Sequence, residues 1–247
     1  MFDQKIEEMI EQVQKPARYT GGEMNTAIKP WPEAEVHFAF CFPDTYEVAM
    51  SHLGMKILYG VINQQPWALC ERVCMPWVDM KALMEKEGVP LFSLETRTPL
   101  NRFDVVGFTL QYEMSYSNIL AMLKLGGIPL HTAERTDADP IVCVGGPCAF
   151  NPEPLADFVD AVMIGDGEEM IVEFIAAVRE WKKSGEPREA CLRRLAKIPG
   201  VYVPSFYEVS YHEDGTIAAF TPKYPEAPAT VRKRLVLDMD KAYYPTK

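Results

Sequence analysis

Three short stretches of this 247-residue chain carry residue types that could hold a ligand, and they recur in one order. Thr109-Leu110-Gln111 follows the apolar run at 105–108, Gly145-Gly146-Pro147 follows the run at 141–144, and Gly165-Asp166-Gly167-Glu168-Glu169 follows the run at 161–164. Each run is too short for a free-standing helix and stops abruptly in polar or glycine residues. A buried parallel strand does this where it delivers its carboxyl end to a ligand crevice. Glycines there let a ligand approach the backbone, and acidic residues at a helix start meet the positive end of its dipole. Taken singly, each stretch is equally a tight turn. Taken in series, they mark the edge of an open α/β sheet where ligands bind.

The other reactive side chains read as structural. Cys70 and Cys74 have the first spacing of a Cys-x3-Cys-x2-Cys cluster loop, but Trp77 stands at the third position, so one thiolate is missing. His37 alternates within an apolar run, and His131 and His212 fall in predicted loops without companion ligands. Asp44 and Glu47 could form an acid and base pair but read as a solvated loop. The 13 methionines mostly fall at helical core spacing.

The elements that must position the ligand edge follow from periodicity. Apolar residues at Phe2, Ile6, Met9, Ile10 and Val13 predict a helix over 2–14, and 15–32 reads as an extended arm. Residues 36–42 form the first strand, and Ser51 is placed to cap a helix through Leu53, Ile57, Leu58 and Ile62. A short strand at 73–77, a helix from Asp79 to Gly88 and a further strand at 91–94 are expected next. The run at 105 is central. Ser115 or Ser117 starts a helix ended by Gly126-Gly127, and strand, helix and strand recur at 141–144, 155–158 and 162–164. A helix over 168–181 follows. This alternation implies right-handed crossovers in a doubly wound sheet. Beyond Pro187, residues 201–203, 206–211 and 217–220 around Glu213-Asp214-Gly215 look like a small C-terminal β-hairpin extension. The tail at 230–247 looks like a connector. The expected organisation is a helix and arm over 1–32, an α/β domain over 33–186 and a hairpin with connector over 187–247.

A hydrophobic fraction of 48% is that of an ordinary globular protein, and a net charge of -10 argues against a broad phosphate-binding surface. Direct nucleic-acid binding is therefore not expected. No secretory signal or membrane span is seen, and six scattered cysteines suit reduced thiols, so a cytoplasmic location is expected. No Gly-x-Gly-x-x-Gly or lysine-bearing phosphate loop follows the first strand.

The three stretches, in their order, resemble the cobalamin-binding-like domain that precedes the catalytic core of many radical S-adenosylmethionine (radical SAM) enzymes. Phe40-Cys41-Phe42-Pro43-Asp44-Thr45-Tyr46-Glu47, Ser51-His52-Leu53-Gly54-Met55-Lys56, Gly107-Phe108-Thr109-Leu110-Gln111-Tyr112-Glu113 and Gly145-Gly146-Pro147-Cys148-Ala149-Phe150-Asn151-Pro152 look like one uncharacterised bacterial family of such proteins. The resemblance runs from about Tyr19 to Tyr244. It implies a flavodoxin-like or Rossmann-like domain, with a corrin site bordered by Pro43, Ser51, His52, Gly54, Thr109, Leu110, Gln111, Gly145, Gly146, Pro147, Gly165, Gly167 and Glu168. It also implies that this chain is an amino-terminal fragment without turnover of its own. Its partner would be a radical SAM barrel of the same polypeptide, acting on an unknown substrate. The 4Fe-4S cluster and S-adenosylmethionine would belong to that barrel. The alternative is a corrin-free domain of the same fold that recognises substrate or docks the barrel.

Two departures from the resemblance bear on the cobalt. The Asp-x-His-x-x-Gly element that supplies a lower ligand is broken, because Met50 replaces Asp and Gly54 comes one residue early. His52 then reads as an ordinary helix-start histidine, and any cobalamin is expected base-off. Gln111 stands where a Ser-x-Leu element has leucine, which narrows the slot for the nucleotide tail.

Overall fold

The computed structural model describes residues 2–246, and its first long-range order comes from five strands that are buried along nearly their whole length. β1 (Val36–Phe42), β3 (Val105–Thr109) and β5 (Ala161–Met163) are buried at every position, and β2 (Ala68–Cys74) and β4 (Ile141–Gly145) at all but their last. Strands buried on both faces need helices on both sides, which is the condition for a parallel α/β sheet. The six-stranded sheet has the order β2-β1-β3-β4-β5-β6, with β6 (Val201–Tyr202) antiparallel to β5 and every other pair parallel. A separate antiparallel pair, β7 (Tyr207–Tyr211) and β8 (Ile217–Pro222), forms the hairpin. The expected doubly wound, mostly parallel fold with a β-hairpin extension is therefore present.

Seven α-helices accompany these strands among the described residues. α1 (Phe2–Ile10) is shorter than its apolar stripe suggests, although Val13 remains buried beyond its end. α2 (Tyr46–Ser51) and α3 (Leu53–Asn63) follow β1, α4 (Val78–Glu87) follows β2, and α5 (Tyr116–Leu125) follows β3. α6 (Gly167–Ser184) follows β5 and packs on α3. Glu168 and Glu169 lie in its first turn, Lys182 and Lys183 in its last, and Gly185 terminates it at φ 66°. α7 (Arg188–Leu195) leads into β6.

Several sequence expectations are corrected. Ser51 ends α2 and does not cap α3; its hydroxyl donates to the Val48 carbonyl at 2.8 Å, and the cap of α3 is His52. The second strand lies at 68–74, several residues before 73–77, because it buries two polar residues, Glu71 held by the Ser93 and Thr96 hydroxyls and Arg72 paired with Glu95, which hide it from a hydrophobicity count. Trp77 caps α4, with Asp79 inside its first turn. Residues 91–94 make only an isolated bridge, Phe92 to Pro99. No helix forms at 155–158: the β4–β5 connection contains only the 3-10 turns Pro147–Phe150 and Glu153–Leu155, and the few residues between the second turn and Ala161 of β5 leave no length for one. Residues 201–202 join the main sheet and not the hairpin.

At the amino ends of the strands a buried ion cluster replaces hydrophobic contact. Asp160 Oδ2 accepts from Arg135 Nη1 at 2.9 Å, Arg188 Nη2 at 2.7 Å and the Val142 amide at 2.7 Å. The same two guanidiniums donate to the carbonyls of Leu130, Phe158 and Pro140, tying α7 and the β4–β5 connection to the sheet. Among the described residues, no helix is long and apolar enough to cross a membrane.

Candidate functional site

Strand order reverses between β1 and β3, so the loops leaving their carboxyl ends diverge and leave a crevice, the usual ligand position in this topology. A cavity of about 280 Å³ lies there, between the sheet and helices α3 and α6. Its walls are Phe38 and Phe40 of β1, Ile57 and Leu58 of α3, Phe108 of β3, Met163 of β5 and Met170 and Ile171 of α6. Its polar rim is His52, Thr109, Gln111, Asp166 and Glu168. Among the described residues no lysine or arginine lines it, so a bare phosphate would find there only the amino end of α6 for positive charge. The apolar walls and sparse polar rim suit a planar, largely uncharged ring.

Of the sequence-predicted residues, His52, Gly54, Thr109, Gln111, Gly145, Gly146, Pro147, Gly165, Gly167 and Glu168 line this cavity. Pro43, Ser51 and Leu110 do not. The Pro43 carbonyl accepts from Asn118 Nδ2 at 2.9 Å and Ser51 is exposed. Leu110 is fully buried, its amide donating to Gly145 O at 2.6 Å and its carbonyl accepting from Cys148 N at 3.1 Å. Of the further wall residues, Phe40 opens one of the family-like segments and Ile57 and Leu58 belong to the predicted helix after it, whereas Phe38 and Met170 belong to no motif. Their signal was the alternation in β1 and the stripes on α3 and α6, which read equally well as core.

The glycines serve a different purpose from the expected open backbone. A Cβ on Gly146, at φ 103°, would stand 2.9 Å from Leu110 O and 3.1 Å from Thr109 Oγ1, so this glycine lets the β3 and β4 ends close on each other. One on Gly167 would meet Leu58 at 3.2 Å, where α6 touches α3. One on Gly165, at φ 108°, would fall on the backbone of Arg234. Chain segments, not empty space, occupy the missing side-chain positions.

The ionisable groups are committed as well. His52 Nδ1 accepts the Met55 amide at 3.2 Å, capping α3, while the ring lies 5.4 Å from Phe42. A neutral imidazole that accepts at Nδ1 carries its proton on Nε2 and has no lone pair left for a metal. Gln111 Nε2 donates to Thr109 Oγ1, which fixes the hydroxyl in the crevice. Asp166 Oδ2 accepts from the Val236 amide at 2.8 Å and leaves α6 without a side-chain cap. Glu47 pairs with Arg18 and Lys15, and the Arg18 hydrogen bond holds its carboxyl at about 2. His37 is bonded to Asp104 at 3.1 Å and to the Trp31 carbonyl at 2.9 Å, and stacks on Trp31.

Cys70 is fully buried on β2, and Cys74, half-buried, ends the same strand. Burial pushes the Cys74 thiol up to about 12 and that of Cys70 well above its ordinary value. No group of three or more His, Cys, Asp and Glu side chains suited to a metal ion is present among the described residues.

At about 280 Å³ the cavity falls below the roughly 300–1,000 Å³ typical of pockets for drug-sized ligands. Its histidine is committed to the cap of α3.

The family of N-terminal domains of radical SAM proteins matches residues 54–204, more than half of the chain. An uncharacterized protein of Methanocaldococcus jannaschii, MJ0966, is 30% identical over 99 residues, which is 40% of this chain and 21% of that protein. The matched region thus spans about a fifth of that relative's length. No solved structure matches the chain.

Proposed function

The chain belongs to the family of N-terminal domains of radical SAM proteins, and from that footing we propose that it is a cobalamin-binding-like module that takes the nucleotide tail of a base-off cobalamin into the sheet-edge cavity. The observation that carries this reading is the convergence of the three sequence stretches, from β3, β4 and β5, on one apolar crevice at the β1/β3 reversal. The walls of Phe38, Phe40, Leu58 and Ile171 would bury the ring, and Thr109, Gln111 and the amino end of α6 would orient its polar substituents. The macrocycle would remain outside the cavity, against a radical SAM barrel of the same polypeptide. That barrel would hold the 4Fe-4S cluster and S-adenosylmethionine. When bound, a cobalamin supplies a methyl carrier or a one-electron couple. The module's own task is to hold the tail away from the metal and to exclude water from it.

The test is the visible spectrum of the chain after incubation with hydroxocobalamin and desalting. A retained corrin band is expected, and it should be lost in Ile57→Trp, which fills the cavity from α3. A second reading, a corrin-free domain that recognises substrate or docks the barrel, is favoured by the small volume and by the commitment of His52 to its helix cap. A clean protein spectrum would establish that reading in place of the first.

A further inference from the structure

The tail beyond the hairpin is seated by dedicated contacts. Arg234 adds one parallel bridge beside Gly165 at the end of β5: its amide donates to Ile164 O at 2.8 Å and its carbonyl accepts from Asp166 N at 3.0 Å. Val236 N donates to Asp166 Oδ2 at 2.8 Å, and the Arg234 guanidinium pairs with Glu169 at 3.0 Å and Glu173 at 2.7 Å on α6. Further on, the ring of Tyr243 lies over Gly60 of α3, in the position that any Cβ on that residue would occupy. Two glycine positions, one within α3 and one just before α6, are thus filled by the tail, and these helices are the two walls of the cavity, meeting at Leu58 and Gly167.

We propose that residues 234–244 are a strap that ties α6 to α3 and sets the width of the sheet-edge cavity, so that ligand entry and strap seating are thermodynamically linked. A ligand that needs more than about 280 Å³ must spread the α3–α6 wall, which strains the contacts at Gly60 and Gly165. By reciprocity, releasing the strap raises affinity for such a ligand by the factor with which the ligand releases the strap, typically about 5–150-fold for coupled sites. The inference holds for any ligand of the cavity, corrin or other.

Amide hydrogen exchange on the chain tests this in two variants, one from each side of the contact. Gly60→Leu puts a good helix former where the Tyr243 ring lies, and Tyr243→Ala removes the ring. Both should speed exchange of the Asp166 and Val236 amides at least tenfold. Both should also raise exchange across 53–63 and 167–173 and increase the fluorescence of 8-anilinonaphthalene-1-sulfonate, used as an apolar cavity probe, several-fold. Unchanged exchange at Asp166 and Val236 in both variants would show that Tyr243 does not pin the strap, and would overturn the proposal. So would faster exchange at those two amides with unchanged helix exchange and dye binding. None of these readouts involves corrin, so they stand apart from a failure of the cobalamin reading.

Discussion

His52 places its acceptor nitrogen on the first turn of α3, and a substitution there should read as a lost helix cap. His52→Ala is expected to cost about 1 kcal/mol in urea unfolding, the usual loss for a cap side chain, with corrin retention unchanged. The electron paramagnetic resonance spectrum of the chain with cob(II)alamin should show no nitrogen superhyperfine splitting assignable to His52. Splitting that vanishes in His52→Ala would contradict this. Thiol reactivity gives a second residue-level check. Burial lifts all three thiols, but Cys70 and Cys74 sit on β2 inside the sheet while Cys148 lies in the 3-10 turn Pro147–Phe150, so at pH 8 N-ethylmaleimide should modify Cys148 well before either of them. The identities of these residues were legible in the sequence, but their directions were not. That Gly146 is small and followed by Pro147 was visible; that its missing Cβ faces Leu110 depends on how two strand ends pack. Gly146→Leu should therefore destabilise the fold through its positive φ and this close contact, and is a poor probe of the cavity.

Among the elements, α6 and the three strands before it were legible because their apolar periods agree with their lengths and their caps. β2 and α7 were not, since both carry charges that only tertiary partners explain. Arg188 of α7 reads locally as a surface residue, yet it is buried against Asp160 and the Pro140 carbonyl. Asp160→Asn should cost about 3–5 kcal/mol in urea unfolding, because it leaves Arg135 and Arg188 buried without their counter-charge. A loss below about 1 kcal/mol would mean that the carbonyl partners alone hold these guanidiniums. The β4–β5 connection failed as a predicted helix for the opposite reason. Its apolar residues Leu155 and Val159 are buried at helical spacing, but the 3-10 turn Glu153–Leu155 is followed within a few residues by β5, which leaves no length for a helix.

For the whole molecule, carboxylates tie distant parts together and should make the fold acid-labile. The Arg179 hydrogen bond, reinforced by Lys183, holds Glu35 at about 2, linking the start of β1 to α6. Burial alone would raise Asp104, but hydrogen bonds from His37 and Lys182 outweigh it and leave it below its ordinary value. Groups depressed in the folded state contribute stability above their unfolded value, about 4 for a carboxyl, and lose it as pH falls through the folded one. The urea midpoint should therefore drop between about pH 5 and pH 2, and Asp104→Asn should remove part of that slope. A midpoint that rises on acidification would refute the assignment.

β6 is only two residues long, yet it covers the outer side of β5, the last parallel strand. Until residues 201–202 leave the ribosome, a growing chain that has already made five strands exposes β5 as an unpaired edge of apolar Ala161, Val162 and Met163. Such an edge is a template for pairing with a neighbouring chain. The vulnerable interval of synthesis is thus the stretch between α6 and Tyr202. Chains stopped at Lys197 should sediment as aggregates, while those that continue past the hairpin stay dispersed.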